Sequence, residues 1–482
     1  MLYCSYQQHT ISCAWRNGAP NMNSMEAFME QVDVLIIGAA TAGSYFARKL
    51  AEAGHRVLIL EQHSKENLGR RLDIFHVGKP DFARFSLPMP ETADDLAFEF
   101  SGGKTFSAYD RYPKQNVGTV VGMHMHRYVA RLNRWAQEAG AEIRYQAAFV
   151  DFLYQDGRIA GAIYEQDGAR HEVYAKLVVD CSGIPAVART KLPDGYGVEN
   201  FSIQKDEMFY VVLRYVVYHD TKDYVTGTRG WTYYKTWEAP EGSADSAILG
   251  VGANFSYEEA EKSFAAFQQA VKLPRYSVKR TERGTTPYRR PPYSFVADGF
   301  LVSGDAACLT KPSAGEGVTA SMVQLEIAAE EVSRLLKEGG YLTRARLWNI
   351  NTRYIAAQGK AFAGQLATLI GALSTSAGEN DYFFQHDVIF SDKTFASLGR
   401  GEPLAFSTKE MLRMVLVLLG GIITGKVRVS TIHALLRSMK NGAQAEKLYA
   451  EYPASEAGFD EWVLRAEKFW RECGSMAENG VR

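Results

Sequence analysis

The stretch that decides the fold is VLIIGAATAG, which occupies residues 34–43. Its first four residues are aliphatic, as in a strand that is buried on both faces of a parallel sheet. The glycine-rich turn leads into residues 45–53, which have the composition of a helix, and Gly54 is placed to end that helix. Residues 56–60 predict a second strand. Together these segments predict one βαβ unit of about thirty residues.

The turn has the spacing Gly38-x-Ala40-x-x-Gly43. In turns of this kind the first glycine allows the sharp bend and the last lets the helix pack closely on the strand. A small residue in the middle lets a pyrophosphate approach the backbone. Ala40 replaces the usual glycine there, so its methyl group is expected to push the pyrophosphate slightly away.

Two further features support the binding of an adenine dinucleotide. The helix N-terminus offers N–H groups and a positive dipole end to phosphates, so Thr41 and Ala42 join the predicted contacts. Glu61 stands at the end of the second strand, where a carboxylate accepts hydrogen bonds from a ribose diol. The alternative is a packing turn in another kind of α/β protein.

A second group of candidate residues surrounds the start of a long helix. These residues are Gly304, Asp305, Pro312, Gly315, Glu316, Gly317 and Val318. An acidic residue at a strand end can bind the hydroxyls of a ribityl chain, and a helix N-terminus can stabilise negative charge on a reduced flavin. FAD carries both groups, so the two motifs together predict FAD as the cofactor, with an ordinary βα turn as the alternative. A third stretch, VVDCSG at residues 178–183, predicts a strand and an acidic turn and makes Asp180 a further candidate.

In this order and spacing, the three motifs resemble the flavoproteins of the para-hydroxybenzoate hydroxylase-type fold. The segment GDAACLTKPSAGEGV at residues 304–318 is similar to the flavin-holding segment of the geranylgeranyl reductase family. The resemblance extends over residues 33–337. It implies an FAD-dependent reductase in which flavin N5 delivers a hydride to a carbon–carbon double bond of an isoprenoid or other apolar substrate.

That family also carries a Tyr-x-Trp-x-Phe-Pro-Lys element, followed by Gly-x-Gly, in its substrate-binding sheet. The matching positions here are Trp231, Lys235, Gly250 and Gly252, while Tyr233 and Tyr234 replace Phe and Pro. The resemblance implies that these residues bind substrate, and the aromatic ones are expected to line an apolar tunnel. Sheet packing is the alternative. The expected proton donor is a tyrosine of this sheet or water, and no catalytic residue can be named.

The sequence departs from the family in two places. Many relatives use an arginine near the start of the helix at residues 126–139 to touch the flavin, and here Arg127 is the candidate, with a helix-surface arginine as the alternative. Archaeal members often have a cysteine after the second strand, whereas none lies between Glu61 and Pro113. A mechanism assisted by that thiol is therefore not expected.

The predicted architecture is α/β, with a Rossmann-like FAD-binding domain, an inserted mostly antiparallel β-sheet substrate domain and a helical C-terminal region. The predicted boundaries are 1–32 for a disordered extension, 33–200 and 285–340 for the FAD-binding domain, 201–284 for the substrate domain and 341–482 for the helical domain. Within the first of these, residues 62–114 are expected to be a mixed loop region. Breaks between helices are expected near residues 371–378 and 399–403.

Composition excludes several classes of protein. With 54 Lys and Arg against 55 Asp and Glu, the net charge of −1 gives no basic footprint for nucleic acid. The five cysteines include no CxxC pair, so neither a metal site nor an iron–sulfur cluster is expected, and a reducing, cytoplasmic location is favoured. The longest apolar run, residues 414–423, is too short to span a bilayer. A buried helix is the favoured interpretation of this run, and peripheral contact with a membrane stays open.

Three other functions stay open at this point: an FAD-dependent aromatic monooxygenase, a quinone-linked electron-transfer flavoprotein dehydrogenase and a non-enzymatic flavin-binding scaffold. A flavin halogenase is not favoured, because its Trp-x-Trp signature is absent: Trp231 and Trp237 are six residues apart. The expected partners are an apolar small molecule or lipid as substrate and an external electron donor. NAD(P)H, ferredoxin and an electron-transfer flavoprotein are the alternatives for that donor.

Overall fold

A computed structural model describes residues 30–70, 72–221, 224–371, 375–399 and 406–474. The predicted disordered extension at residues 1–32 therefore lies almost wholly outside the described residues. The strands are β1 (Gln31–Ile37), β2 (Val57–Glu61), β3 (Ile74–Gly78), β4 (Leu96–Phe106), β5 (Lys114–His124), β6 (Glu142–Tyr145), β7 (Ala148–Gln155), β8 (Arg158–Gln166), β9 (Ala169–Asp180), β10 (Met208–Tyr218), β11 (Arg229–Trp231), β12 (Thr236–Pro240), β13 (Ser246–Asn254), β14 (Tyr276–Pro287), β15 (Val296–Ala297) and β16 (Phe300–Val302). The α-helices are α1 (Thr41–Glu52), α2 (Lys79–Arg84), α3 (Met125–Glu138), α4 (Tyr257–Ala270), α5 (Val318–Glu338), α6 (Arg344–Tyr354), α7 (Lys360–Gly371), α8 (Ala377–Gln385), α9 (Asp392–Gly399), α10 (Thr408–Ile423), α11 (Val429–Ala450) and α12 (Phe459–Cys473).

The first sheet has the strand order β15-β16-β9-β1-β2-β6 and is parallel from β16 to β6. Its central strand β1 contains Val34, Leu35 and Ile36, which expose no surface. Helix α1 connects β1 to its neighbour β2, so the predicted βαβ unit is confirmed. The predicted hairpin at residues 155–157 is also present, and it joins β7 to β8 beside β9.

The second sheet has the order β14-β10-β13-β12-β11-β4-β5-β3. It is antiparallel except where β11 pairs with β4, so the predicted mostly antiparallel sheet is confirmed. The prediction of a mixed loop region at residues 62–114 was wrong, because β3 and β4 lie within it. Glycines such as Gly102 and Gly103 interrupt the alternation in β4 that would have revealed a strand. The second sheet is thus assembled from two separate stretches of chain.

The chain after α5 is helical throughout its described part, as predicted. The expected breaks fall largely outside the described residues, and the helices before them end at Gly371 and Gly399. The interpretation of residues 414–423 as a buried helix was wrong, because in α10 only Gly421 is buried. No helix in the described residues is both long enough and apolar enough to cross a membrane.

Candidate functional site

The glycine turn between β1 and α1 is as tight as its sequence predicts. Gly38 has a φ of +103°, and a Cβ atom there would lie 2.5 Å from the carbonyl oxygen of Cys181. A Cβ atom at Gly43 would lie 2.0 Å from the carbonyl oxygen of Gly38. Both distances are far below van der Waals contact, so both positions require glycine. The helix can consequently begin at the very end of the strand.

The N-terminus of α1 is open to a ligand. Ala40 is the N-cap residue, and neither a capping side-chain bond nor an acidic residue is present in the first turn. The first N–H groups of a helix are left unpaired by the helix itself, so those of Thr41, Ala42 and Gly43 can bind an anion. Ala40 is exposed, so its methyl group lies outside the packed turn. This arrangement suits a pyrophosphate.

Glu61 lies at the carboxyl end of β2, beside the turn. Its side chain is held by two backbone donors: Ala39 N–H donates to Oε2 at 2.9 Å and His63 N–H donates to Oε1 at 2.8 Å. A carboxylate has about four acceptor positions, so two remain for the hydroxyls of a ribose. The predicted role of Glu61 is compatible with this geometry and stays a prediction.

The two glycine motifs form one continuous cradle. Gly304 has a φ of +65°, and a Cβ atom there would lie 3.1 Å from the Cβ atom of Ala42 in the first motif. The strand before Gly304, β16, pairs with β9, and Ser303 N–H donates to the carbonyl oxygen of Asp180 at 2.9 Å. Residues that are distant in the sequence are therefore neighbours at the carboxyl edge of the parallel sheet, where ligands bind in such folds.

Asp305 is the clearest indication of a ligand-binding role in this cradle. Its carboxyl group has no hydrogen bond within the described residues, and burial raises its pKa to about 6. Oδ1 faces the Cβ position of Gly317, at 3.1 Å. Gly317 is the N-cap of α5, which has no side-chain cap. An acceptor without a donor, next to an open helix N-terminus, fits a ligand that brings hydroxyls and negative charge together.

The loop before α5 is closed by its own backbone. Lys311 N–H donates to the carbonyl oxygen of Glu316 and Gly315 N–H donates to that of Lys311, both at 2.9 Å. Gly315 has a φ of +70° and open space around its Cβ position. Its neighbour Pro312 accepts a hydrogen bond from Tyr288 Oη at 2.7 Å. The loop that ends at Val318 is therefore pre-formed.

Sequence reasoning missed a histidine beside this loop. His76 in β3 places Nε2 at 3.6 Å from Oε1 of Glu316. Burial tends to raise the pKa of Glu316, but the nearby His76 ring outweighs it and lowers that pKa. The second sheet thus contributes an imidazole ring to the cradle. Only the pairing of β3 with β5 brings it there, and the sequence carries no local signal of that pairing.

Replacing Asp305 by asparagine should change stability and flavin binding in opposite directions. The folded pKa of Asp305, about 6, lies above its unfolded value of 3.8, so the wild-type apoprotein loses stability as pH rises between these values. The variant lacks this loss, and we expect its apoprotein to be more stable at pH 8 by about 1 kcal/mol or more. It should bind FAD about tenfold more weakly, because one charge-assisted acceptor is lost. Urea unfolding of the apoprotein at pH 4 and pH 8 measures the first effect, and an FAD titration measures the second. If stability and FAD affinity both rose or both fell, Asp305 would not be a ligand of the cofactor.

Two predicted cofactor contacts find less support. Asp180 exposes no surface, and its carboxylate accepts from the backbone N–H groups of Ser182, Ala188 and Arg189 at 2.9, 3.1 and 2.7 Å. These bonds make Asp180 an anchor for the turn after β9, and its predicted contact with the cofactor stays a prediction. Arg127 lies exposed in the first turn of α3, and its proposed contact with the flavin chain stays a prediction.

Two of the predicted substrate-wall residues are buried where the second sheet packs on α4. Trp231 is 2% exposed, stacks on Phe106 and donates from Nε1 to Asp110 at 2.8 Å. Tyr234 is buried in the same cluster, and its hydroxyl donates to a backbone oxygen at 3.1 Å. Both pack against α4, so the alternative of sheet packing describes them. Tyr233 is 36% exposed and stays a candidate.

Lys235 occupies an unusual position next to these aromatic residues. It has a left-handed backbone, with a φ of +48°, and its carbonyl oxygen accepts from Gly252 N–H at 2.9 Å. Burial lowers the pKa of its ammonium group, which has no ion pair within the described residues. A substrate-binding role for Lys235 stays a prediction.

The opposite face of the sheet carries aromatic residues that the sequence analysis missed. Gly250 and Gly252 lie on this face, and Cβ atoms there would lie 2.1 Å from the Trp237 ring and 2.2 Å from the Phe209 ring. Phe209 also packs on Tyr288, with 5.6 Å between ring centroids. Since Tyr288 donates to the second cofactor motif, this face is the one directed toward the cradle. The Gly-x-Gly pattern in β13, which leaves room for large neighbours, was the available signal.

The described residues therefore fit FAD: two glycine turns, two uncapped helix N-termini and an unpaired carboxyl group form one cradle. A family model for the FAD binding domain matches residues 31–338. This range contains both motifs and all strands of both sheets.

Comparison with known proteins supports this assignment. The chain is 23% identical over 449 residues to the digeranylgeranylglycerophospholipid reductase of Sulfolobus acidocaldarius, covering 89% of this chain and 95% of that protein. Among solved structures, a geranylgeranyl bacteriochlorophyll reductase-like protein from Thermoplasma acidophilum aligns with a TM-score of 0.61 at 16% identity, over 82% of this chain and 99% of that one. The p-nitrophenol 4-monooxygenase of Pseudomonas putida aligns with a TM-score of 0.59 at 15% identity, over 77% and 98% of the two chains, so these structural matches show the fold alone. The chain therefore belongs to the FAD-binding domain family and is a flavin-dependent oxidoreductase that is similar to digeranylgeranylglycerophospholipid reductases.

Proposed function

We propose that this protein uses FAD to reduce carbon–carbon double bonds in the isoprenoid chains of a lipid. The observation that carries the proposal is the contact chain from Phe209 through Tyr288 to Pro312. It directs an aromatic face of the second sheet toward the flavin cradle. The similarity to digeranylgeranylglycerophospholipid reductases supports an isoprenoid lipid as the substrate class.

The residues of the cradle would hold the cofactor and set its electrostatics. The N-terminus of α1 would bind the pyrophosphate, Glu61 the ribose and Asp305 the ribityl hydroxyls. The open N-terminus of α5 at Gly317 would stabilise negative charge on the reduced ring system. When bound, FAD supplies the hydride that adds to one carbon of the double bond.

The substrate side offers apolar surface but few charges. Phe209 and Trp237 cover the two glycines of β13 and are themselves partly exposed. A narrow cavity behind the second motif is lined by Cys308, Thr310 and Pro312, by Arg289 and Arg290, and by mostly apolar residues of the C-terminal helices, such as Phe362 and Leu366. The aromatic face of the second sheet is therefore the surface that suits a hydrocarbon chain.

An external electron donor is part of the proposal, because each reduction of a double bond oxidises the flavin, which must then be reduced again. NAD(P)H, ferredoxin and an electron-transfer flavoprotein remain the alternatives. Peripheral contact with a membrane is also proposed, since a lipid substrate must be collected from a bilayer. The aromatic monooxygenase alternative is less favoured, because the curated relative that matches over 89% of this chain is named a reductase.

An anaerobic experiment tests the function. The purified protein is reduced with dithionite, and detergent-dispersed lipids with unsaturated isoprenoid chains are added while the flavin absorbance is followed. Recovery of the oxidised spectrum together with a gain of two hydrogens in the lipid is the expected result. Reoxidation only on admission of oxygen, with oxygen inserted into an added phenol, would move the assignment to a monooxygenase.

Opening the aromatic wall should weaken substrate binding without removing the cofactor. In Phe209→Ala and Trp237→Ala we expect KM for the lipid to rise about tenfold each, because a large apolar contact is lost. Flavin content should match the wild type. Tyr341→Ala, at a position that is 61% exposed, is the control. Unchanged KM in both wall variants would contradict the proposed wall.

A further inference from the structure

Helix α10 carries an apolar stripe on its solvent side. The stripe consists of Met411, Leu412, Val415, Leu416, Leu419 and Ile423, whose exposed fractions are 47, 61, 50, 62, 50 and 85%. At about 100° per residue these six side chains occupy roughly 140° of the helix circumference. The helix is about 24 Å long at a rise of 1.5 Å per residue. Monomeric proteins rarely leave such a continuous apolar surface open without a use for it.

The opposite side of the same helix is firmly attached to the protein. Val417 accepts a hydrogen bond from Tyr382 Oη at 2.9 Å, and Gly421 packs closely against Tyr382 and Val427. Val417 and Leu418 join the buried cluster formed by α8 and α11. The stripe is therefore presented outward by a fixed helix, and no described element covers it.

The chain segment that contains the stripe is strongly biased toward basic residues. Residues 406–440 contain six basic side chains and one acidic side chain, in a chain whose net charge is −1. The acidic one, Glu410, is already paired with Lys393 at 2.8 Å. The basic side chains with no ion pair within the described residues are Lys409, Lys426, Arg437 and Lys440. Lys409 lies in the first turn of α10 and Lys426 follows its last turn, so the apolar face has a basic side chain at each end. Such a face matches a bilayer surface that contains anionic lipids.

We propose that α10 docks this protein on an anionic membrane surface, with the stripe inserted among the lipids and the basic residues at the headgroups. The next helix, α11, adds exposed Leu436 and Met439 to the same part of the chain. A second copy of the chain is a poorer occupant, because a two-fold contact would bring these basic residues toward one another. The proposal rests on the proposed function only in that a lipid substrate gives membrane docking a purpose. The exposure of the stripe and the basic charge of residues 406–440 do not depend on that substrate.

Flotation with vesicles tests the docking. Wild-type protein is mixed with vesicles of phosphatidylcholine alone or of equal parts phosphatidylcholine and phosphatidylglycerol. We expect binding to the anionic vesicles, about tenfold weaker binding to the neutral ones and weakening at 0.5 M salt. The triple variant Leu412→Gln, Leu416→Gln, Leu419→Gln should bind at least about tenfold more weakly. Val278→Gln with Leu464→Gln, two exposed apolar positions elsewhere, is the matched control and should bind like wild type.

The same proteins separate docking from catalysis. Turnover of detergent-dispersed lipid should be unchanged in the triple variant, because α10 contributes no residue to the cradle. Absent turnover with intact vesicle binding would reject the proposed function and leave docking supported. No flotation of wild type, or equal flotation of wild type and triple variant, would overturn docking. Docking would also be overturned if the wild type did not float and light scattering showed it to be a dimer that the triple variant cannot form. That result would assign the stripe to a contact between two copies of the chain.

Discussion

Replacing Gly43 by alanine is expected to remove FAD from the protein and to destabilise the nucleotide-binding half of the fold. The new methyl carbon would lie 2.0 Å from the carbonyl oxygen of Gly38, so α1 would have to move away from the end of β1. Overpacking of this kind costs about 3 kcal/mol. Because the same movement withdraws the helix N-terminus from the pyrophosphate, we expect FAD affinity to fall by about 100-fold or more.

The measurement is the flavin-to-protein ratio after purification, followed by FAD titration and thermal unfolding of the apoprotein. Gly378→Ala is the matched control, since Gly378 lies in a helix with nothing within 4 Å of its Cβ position. That variant should retain its flavin. If Gly43→Ala bound FAD as tightly as the control, the close packing of α1 on β1 would not be what positions the cofactor.

The first cofactor motif was predictable because its causes are local. The aliphatic strand, the glycine turn and Glu61 lie within thirty residues, and each constraint can be read from residue type alone. Gly38 and Gly43 indeed meet backbone atoms that no side chain could approach. The second motif was predictable for the same reason, although its contact with Ala42 through Gly304 was not.

The substrate side was predicted less well because its causes are not local. A strand presents alternate residues to opposite faces, and only the register between strands decides which face meets the flavin. Trp231 matched the family pattern but faces α4, whereas Trp237 covers Gly250 on the other face. The partners of β3 are set by long-range pairing as well, so His76 could not be placed from sequence.

Helix α10 shows a different limit of sequence reasoning. Its apolar run was interpreted as a buried helix, because apolar residues usually pack inside. Whether a given helix face is covered depends on the elements around it, and here α8 and α11 cover only the side that includes Val417 and Leu418. Composition indicated an apolar segment correctly, but only the tertiary arrangement shows that half of it faces solvent.

Glu379→Gln is expected to destabilise the helical region that carries α10. The Glu379 carboxylate is buried and accepts from Arg428 Nη2 at 2.7 Å, from Thr431 Oγ1 at 2.7 Å and from Ser376 N–H at 2.8 Å, thereby tying α8 to the start of α11. Burial tends to raise its pKa, but these bonds, led by that of Arg428, lower it to about 2. Glutamine offers one acceptor oxygen in place of two, so some of these donors lose their acceptor. We expect a loss of about 2 kcal/mol, below the range for fully buried pairs, because the Arg428 side chain is 58% exposed.

The pH dependence of this loss separates the charge from simple packing. Since the folded pKa of Glu379 is about 2 and its ordinary value is 4.5, its stabilisation is complete above pH 4.5 and is lost as pH falls toward 2. The difference in urea midpoint between wild type and Glu379→Gln should be constant from about pH 8 to pH 5 and shrink below it. Glu410→Gln is the matched control, because Glu410 also caps a helix and pairs with a lysine but is solvent-exposed, so only a small change is expected. Equal losses in the two variants would show that the ion pair and cap, rather than burial, account for the effect, and an unchanged difference down to pH 3 would show that the Glu379 charge does not contribute.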